Sequence, residues 1–159
     1  CAAVLVAFTT TSAHAQRVRA VRENIAGGVT AGGVHDVRGP YGGRAVGEGG
    51  AVTDGDGNGV AGSRGCARTG AGAGGCGAGA TSCDEYGNVY HEQSGYAQGA
   101  FGNSASTQGS FERDDDGDVS GQRESEVNLA NRSYSIDTTY DSGSGWDRDV
   151  DCNGSGCPD

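Results

Sequence analysis

The chain has 159 residues, 32 of them Gly, with only two Leu, two Ile, three Phe, one Trp and no Met. All its cations are Arg, 11 against 21 Asp and Glu, for a formal net charge of −10 and a pI near 4.5. One domain at most fits this length; so little apolar surface excludes a thick core, and the negative charge argues against nucleic acid or an anionic membrane as partner.

Residues 1–15 read as a truncated signal peptide. Cys1 to Phe8 is an apolar run, the chain starts with Cys and not Met, and Ala13-His14-Ala15 has the small-x-small form of a signal-peptidase site. A lipoprotein acylated at Cys1 is the alternative, weakened by the apolar Ala2, Ala3, Val4 and Leu5 that follow. The run is too short to span a bilayer, so no transmembrane segment is expected. The expected location is secreted, periplasmic or on the outer cell surface.

Residues 16–26 read as a short helix or linker, because Val18, Val21 and Ile25 fall at helical spacing and Gly27 and Gly28 form a stop. Arg17, Arg19 and Arg22 give this stretch a local positive patch. Residues 27–146 form a Gly-rich β-repeat region. Gly27, Gly42, Gly57, Gly72, Gly87, Gly102 and Gly117 return every fifteen residues, and Gly, Asn or Asp follows six of the seven. These are the residue types that tolerate positive φ, and clusters such as DGDGNG at 54–59 and DEYGN at 84–88 read as tight turns. Strand propensity is poor from about 30 to 80, where fraying is expected. It is better in the C-terminal part, where Tyr134, Ile136, Thr138 and Tyr140 alternate with Ser133, Ser135, Asp137 and Thr139. Residues 147–159 are an acidic, Cys-containing tail.

Export implies an oxidising compartment, so the cysteines are read as disulfides. Cys66 and Cys76 lie symmetrically about Ala71, next to the Gly72 mark, so a hairpin there sets them face to face. A solenoid of one repeat per rung would instead bring Cys66 beside position 81, a threonine; the cysteines favour hairpins. Cys152 and Cys157 enclose a small terminal loop. Cys83 is left over, to pair between molecules or to stay reduced.

The units RGPYGG at 38–43, DGDGN at 54–58, STQGSFERDDDGDVSG at 106–121, TTYDSGSG at 138–145 and the final Cys-Pro resemble a group of small, exported, Gly/Ser/Ala-rich repeat proteins of Gram-negative bacteria. The resemblance covers most of the mature chain and implies export and repetition, with no mechanism attached. Cys66, Cys76 and Cys83 depart from it.

No chemistry of catalysis is legible. Gly57, Gly59 and Gly62, and again Gly70, Gly72 and Gly75, satisfy G-x-G-x-x-G outside any strand-to-helix context, and a P-loop lacks its lysine. His35 and His91 stand apart from any nucleophile elbow. Weak calcium candidates are Asp54, Asp56 and Asn58, then Asp114, Asp116 and Asp118, then Asp149, Asp151 and Asn153; position twelve of the first loop is Gly65 where a bidentate Glu is needed. Turns are built from the same residues, and that plainer reading is favoured. Tyr90, Tyr96, Tyr134 and Tyr140 suit either an aromatic face or what little core a thin sheet has.

The expected fold is all-β: a thin antiparallel β-meander of repeats of about fifteen residues, partly disordered. The expected function is a secreted structural or surface-interaction protein without catalytic activity or cofactor. Its expected partners are envelope or matrix components or further copies of itself. The alternatives are a calcium-stabilised extracellular binding module and a largely disordered exported spacer.

Overall fold

The computed structural model describes residues 14–39, 41–155 and 157. The apolar run of the expected signal peptide and the Cys1 acylation site lie outside the described residues.

The chain folds into ten strands of ten residues each: β1 (His14–Glu23), β2 (Val29–Arg38), β3 (Arg44–Thr53), β4 (Gly59–Arg68), β5 (Gly74–Cys83), β6 (Val89–Gln98), β7 (Ser104–Arg113), β8 (Val119–Asn128), β9 (Arg132–Asp141) and β10 (Gly145–Gly154). They form one antiparallel sheet in chain order, an open meander whose β1 and β10, among the described residues, each pair on one side only. At the usual strand spacing and rise the sheet is about 48 Å wide and about 34 Å tall.

The fifteen-residue ruler is one strand plus one turn. Each mark glycine has positive φ, from 75° at Gly27 to 108° at Gly57. In the turn after β5, Asp84 N–H donates to the Asn88 carbonyl (3.1 Å) and Gly87 N–H donates to the Asp84 carbonyl (3.2 Å). That is a three-residue hairpin loop closed by a left-handed residue, and the same pair of bonds recurs at Asn24–Gly28, Gly39–Gly43, Thr69–Ala73, Gly99–Asn103 and Asp114–Asp118. Because the chain reverses at every turn, consecutive marks lie on opposite margins. The translational unit is therefore thirty residues: Val18 pairs with Val34, Val34 with Glu48 and Glu48 with Arg64 in one row across four strands.

This is a single layer. Among the described residues no side chain, apolar or polar, is buried. The backbone ladder, the turns and the cross-links carry the fold, as the scarcity of large apolar residues requires.

Three expectations are corrected. Residues 16–26 are not helical: β1 runs through Glu23 and Asn24–Gly28 is a turn. An isolated ten-residue helix is marginal in water, whereas the same residues gain a full ladder against β2. The stretch from 30 to 80 carries the regular strands β2 to β5, since backbone pairing does not depend on large side chains. The acidic tail is not separate, because Gly145–Gly154 pairs along its whole length with β9.

Candidate interaction surfaces

Directly opposed residues in an antiparallel sheet share a face, so the registers assign every strand residue to one side. From β1 to β8 one face takes the odd-numbered residues. The turn between Asn128 and Ser133 has an even number of residues, so in β9 and β10 the even-numbered residues join that face. On it stand Arg17, Arg19, Arg113, Arg123, Arg132 and Arg148, and the one strand carboxylate is Glu23. We call it the basic face.

The opposite, acidic face carries Arg22, Arg38, Arg44, Arg64 and Arg68 on its first four strands, with Asp36 and Glu48 among them. Asp36 accepts from Arg44 Nη2 at 2.8 Å, and Glu48 pairs with Arg64. From β6 onward this face holds only acids: Glu92, Glu112, Glu124 and Glu126, then Asp137, then Asp147, Asp149 and Asp151. The net charge of −10 thus conceals a face of the opposite sign.

The margins differ as well. One rim holds the turns with Asp54, Asp56, Asp84, Glu85, Asp114–Asp116, Asp118 and Asp141. The other has no carboxylate in its turns and exposes Tyr41, Phe101 and Leu129, the first two more than nine-tenths open.

The calcium candidates fall in three different settings. The Asp54 carboxylate caps its own turn, accepting from Asp56 N–H (3.0 Å), Asn58 N–H (2.9 Å) and Asn58 Nδ2 (2.6 Å). Asp84 does the same with Tyr86 and Asn88. Asp114 accepts from Asp118 N–H at 2.9 Å; Asp116 lies within that turn. Asp149, Asp151 and Asn153 are spread along β10 and not wrapped around a loop. Among the described residues no three His, Cys, Asp or Glu side chains are grouped as metal ligands.

Cys66 and Cys76 are opposed in the β4–β5 register and disulfide-bonded, with Cα atoms 4.0 Å apart. Cys152 and Cys157 form the second disulfide. Cys83 is outside both, its Sγ 3.8 Å from the Gly57 carbonyl. The four tyrosines do not make one face: Tyr90 and Tyr96 stand on the acidic side, Tyr134 and Tyr140 on the basic side. Two ring contacts form on the basic side, His91 with Phe111 (5.3 Å) and Tyr140 with Trp146 (4.7 Å). Both G-x-G-x-x-G matches run from a turn into a strand, β4 or β5, so no helix follows to receive a pyrophosphate.

Two troughs, of about 730 Å³ beside Asp84, Asp114 and Asp141 and about 750 Å³ beside Glu92, Gln122 and Glu124, are floored by the sheet itself and open to solvent. Neither encloses a reacting group in the dry, preorganised surround that catalysis exploits.

The turn carboxylates make stability depend on acid. Asp54 and Asp84 are held below the ordinary carboxylate range chiefly by the Asn58 and Asn88 side-chain amides, with backbone N–H groups adding to the effect. Arg44 lowers Asp36 through a hydrogen bond, and the Ser144 and Gly143 N–H groups lower Asp141. A depressed folded pKa contributes stability above the unfolded value of about 3.9 and loses it as pH falls through the lower folded value. The urea midpoint is expected to fall on acidification below about pH 4, and to fall less in an Asp54→Asn, Asp84→Asn variant. Protonation also relieves repulsion along the rim, so the difference between the two proteins is the quantity that isolates the caps. An identical acid response in both sinks the assignment.

No family model, curated protein or solved structure matches this chain. The fold defines it by class alone: a single-layer, ten-stranded antiparallel β-meander. Among the described residues no helix is long and apolar enough to cross a membrane, and two disulfides fit a non-cytoplasmic protein.

Proposed function

We propose that this is an exported, non-catalytic structural protein that acts by surface contact in an envelope or matrix. The observation that carries the reading is the sorting of charge between the two faces of a sheet in which no described side chain is buried. A layer with nothing inside offers its area to partners, and a face with six arginines and one carboxylate suits extended polyanions of the matrix. The composition, the Ala13-His14-Ala15 signal and the resemblance to exported Gly/Ser/Ala-rich proteins support the same reading.

The test is retention of the oxidised protein on a linear anionic polysaccharide, with neutral dextran as control, at low and high salt. Expected is salt-sensitive retention on the anionic polymer alone, lost when Arg123 and Arg148 become Glu. Equal retention on both polymers, or on neither at low salt, overturns it. The second reading, a calcium-stabilised module, draws on the carboxylate-lined rim; its test is a rise in melting temperature with millimolar calcium, and an unchanged melt removes it.

A further inference from the structure

The two edges of the sheet end in opposite charge. β1 presents Arg17, Arg19 and Arg22 with Glu23; β10 presents Asp147, Asp149 and Asp151 with Arg148. Among the described residues each is a ten-residue strand paired with a neighbouring strand on one side only, so its outward edge is a template for another strand. We propose that these edges are the two halves of one interface, in which β10 of one copy pairs antiparallel with β1 of the next and the sheet continues from molecule to molecule.

Three features carry this. The strand number is even, so the strand that would follow β10 in the meander has the direction of β1. Charge then selects among the edge pairings. β1 against β1 sets arginines against arginines, and β10 against β10 sets aspartates against aspartates, whereas β10 against β1 joins a net negative to a net positive strand. Finally, Ser155 N–H bonds the Asn131 carbonyl (3.3 Å), which lies on the β9 side of β10 and not on its outward side.

The geometry also points to a register. With Asp147 opposite Arg22, Asp149 falls opposite Ala20, Arg148 opposite Val21 and Val150 opposite Arg19. No like charges then oppose one another, and the acidic and basic faces each run on without a break. A one-residue slip would interchange the faces. Val21 and Trp146, 71% and 76% exposed in the single chain, are partly covered in this arrangement. The contact is head-to-tail and does not close, so the product is a linear ribbon and not a dimer.

The inference rests on the structural reading above and is tested apart from it by sedimentation velocity on the oxidised protein from micromolar to millimolar concentration. Expected is a concentration-dependent series of oligomers, with a blue shift of the emission of Trp146, the one tryptophan. A β1 variant, Arg19→Asp with Arg22→Asp, and a β10 variant, Asp147→Arg with Asp149→Arg, should each associate at least about tenfold more weakly, while their equimolar mixture recovers wild-type association. A wild-type protein that stays monomeric with unchanged Trp146 emission overturns the proposal. So does a single variant that associates as wild type does, or a mixture of two folded variants that stays dispersed. Both readouts are taken without polysaccharide, so a wild-type protein that stays monomeric yet is retained on the anionic polymer overturns the edge pairing alone, and one that associates but is not retained overturns the surface reading alone.

Discussion

Replacing both Cys66 and Cys76 by serine is expected to lower the free energy of unfolding by about 3 kcal/mol. The loop they close spans ten residues, and cross-linking it removes chain entropy from the unfolded state. The site magnifies the consequence. The β4–β5 hairpin is built mostly from Gly, Ala and Ser with a Thr-Gly-Ala-Gly-Ala turn, so its side chains give little apolar contact to offset the cost of ordering the backbone. In the row through the disulfide, Val46 pairs with Cys66 and Cys76 with Tyr96, which joins the glycine-rich first half of the sheet to the aromatic second half. Amide exchange in the serine variant should therefore quicken most in β4 and β5. Serine at Cys152 and Cys157 should cost less, about 2 kcal/mol, because that bridge closes a shorter loop, of separation 5, at the end of the last strand. Equal losses from the two replacements would show that the hairpin cross-link has no special place in the sheet.

What could be read from the sequence, and what could not, divides along the same physical line. The turns were legible because positive φ restricts the residue type: Gly27 through Gly117 announce themselves whatever surrounds them. The Cys66–Cys76 pairing followed from symmetry about a turn, and β9 from its strict alternation. β1 is hidden from a local reading because Val18, Val21 and Ile25 satisfy a helical spacing by themselves; only the ladder with β2, a non-local interaction, decides for a strand. The poor strand propensity of residues 30–80 misled for the same reason, since registry with flanking strands is absent from any local window. The two charged faces were written in the parity of residue numbers. Their signal is arginines at 17, 19, 113 and 123 on one parity, and acids at 92, 112, 124 and 126 on the other. It becomes readable once every turn is known to keep or change that parity, and the turn after Asn128 changes it.

Neighbouring turns on a margin pack against one another, and glycine is what lets them. A methyl group at Gly70 would lie 1.9 Å from the Tyr41 carbonyl oxygen, and one at Gly28 would lie 1.9 Å from the Thr53 oxygen. Both obstacles are backbone, so neither can swing aside. Hydrogen bonds show the same closeness on the acidic rim: Asn24 Nδ2 donates to the Thr53 carbonyl at 2.7 Å, and Glu85 N–H donates to Asn58 Oδ1 at 3.0 Å. Gly28→Ala and Gly70→Ala are therefore expected to destabilise by about 1–3 kcal/mol through overpacking between turns, with no conformational strain of their own. Gly72 separates the two causes. Its φ is +90° and nothing lies within 4 Å of where a methyl would stand, so Gly72→Ala should show only the left-handed penalty of about 1 kcal/mol, and Gly72→Asn less. Urea midpoints of the four variants give the ranking. If Gly70→Ala costs no more than Gly72→Ala, the turns do not pack. The margins would then be a row of independent hairpin ends, and the sheet would depend on its ladder and the hairpin disulfide alone.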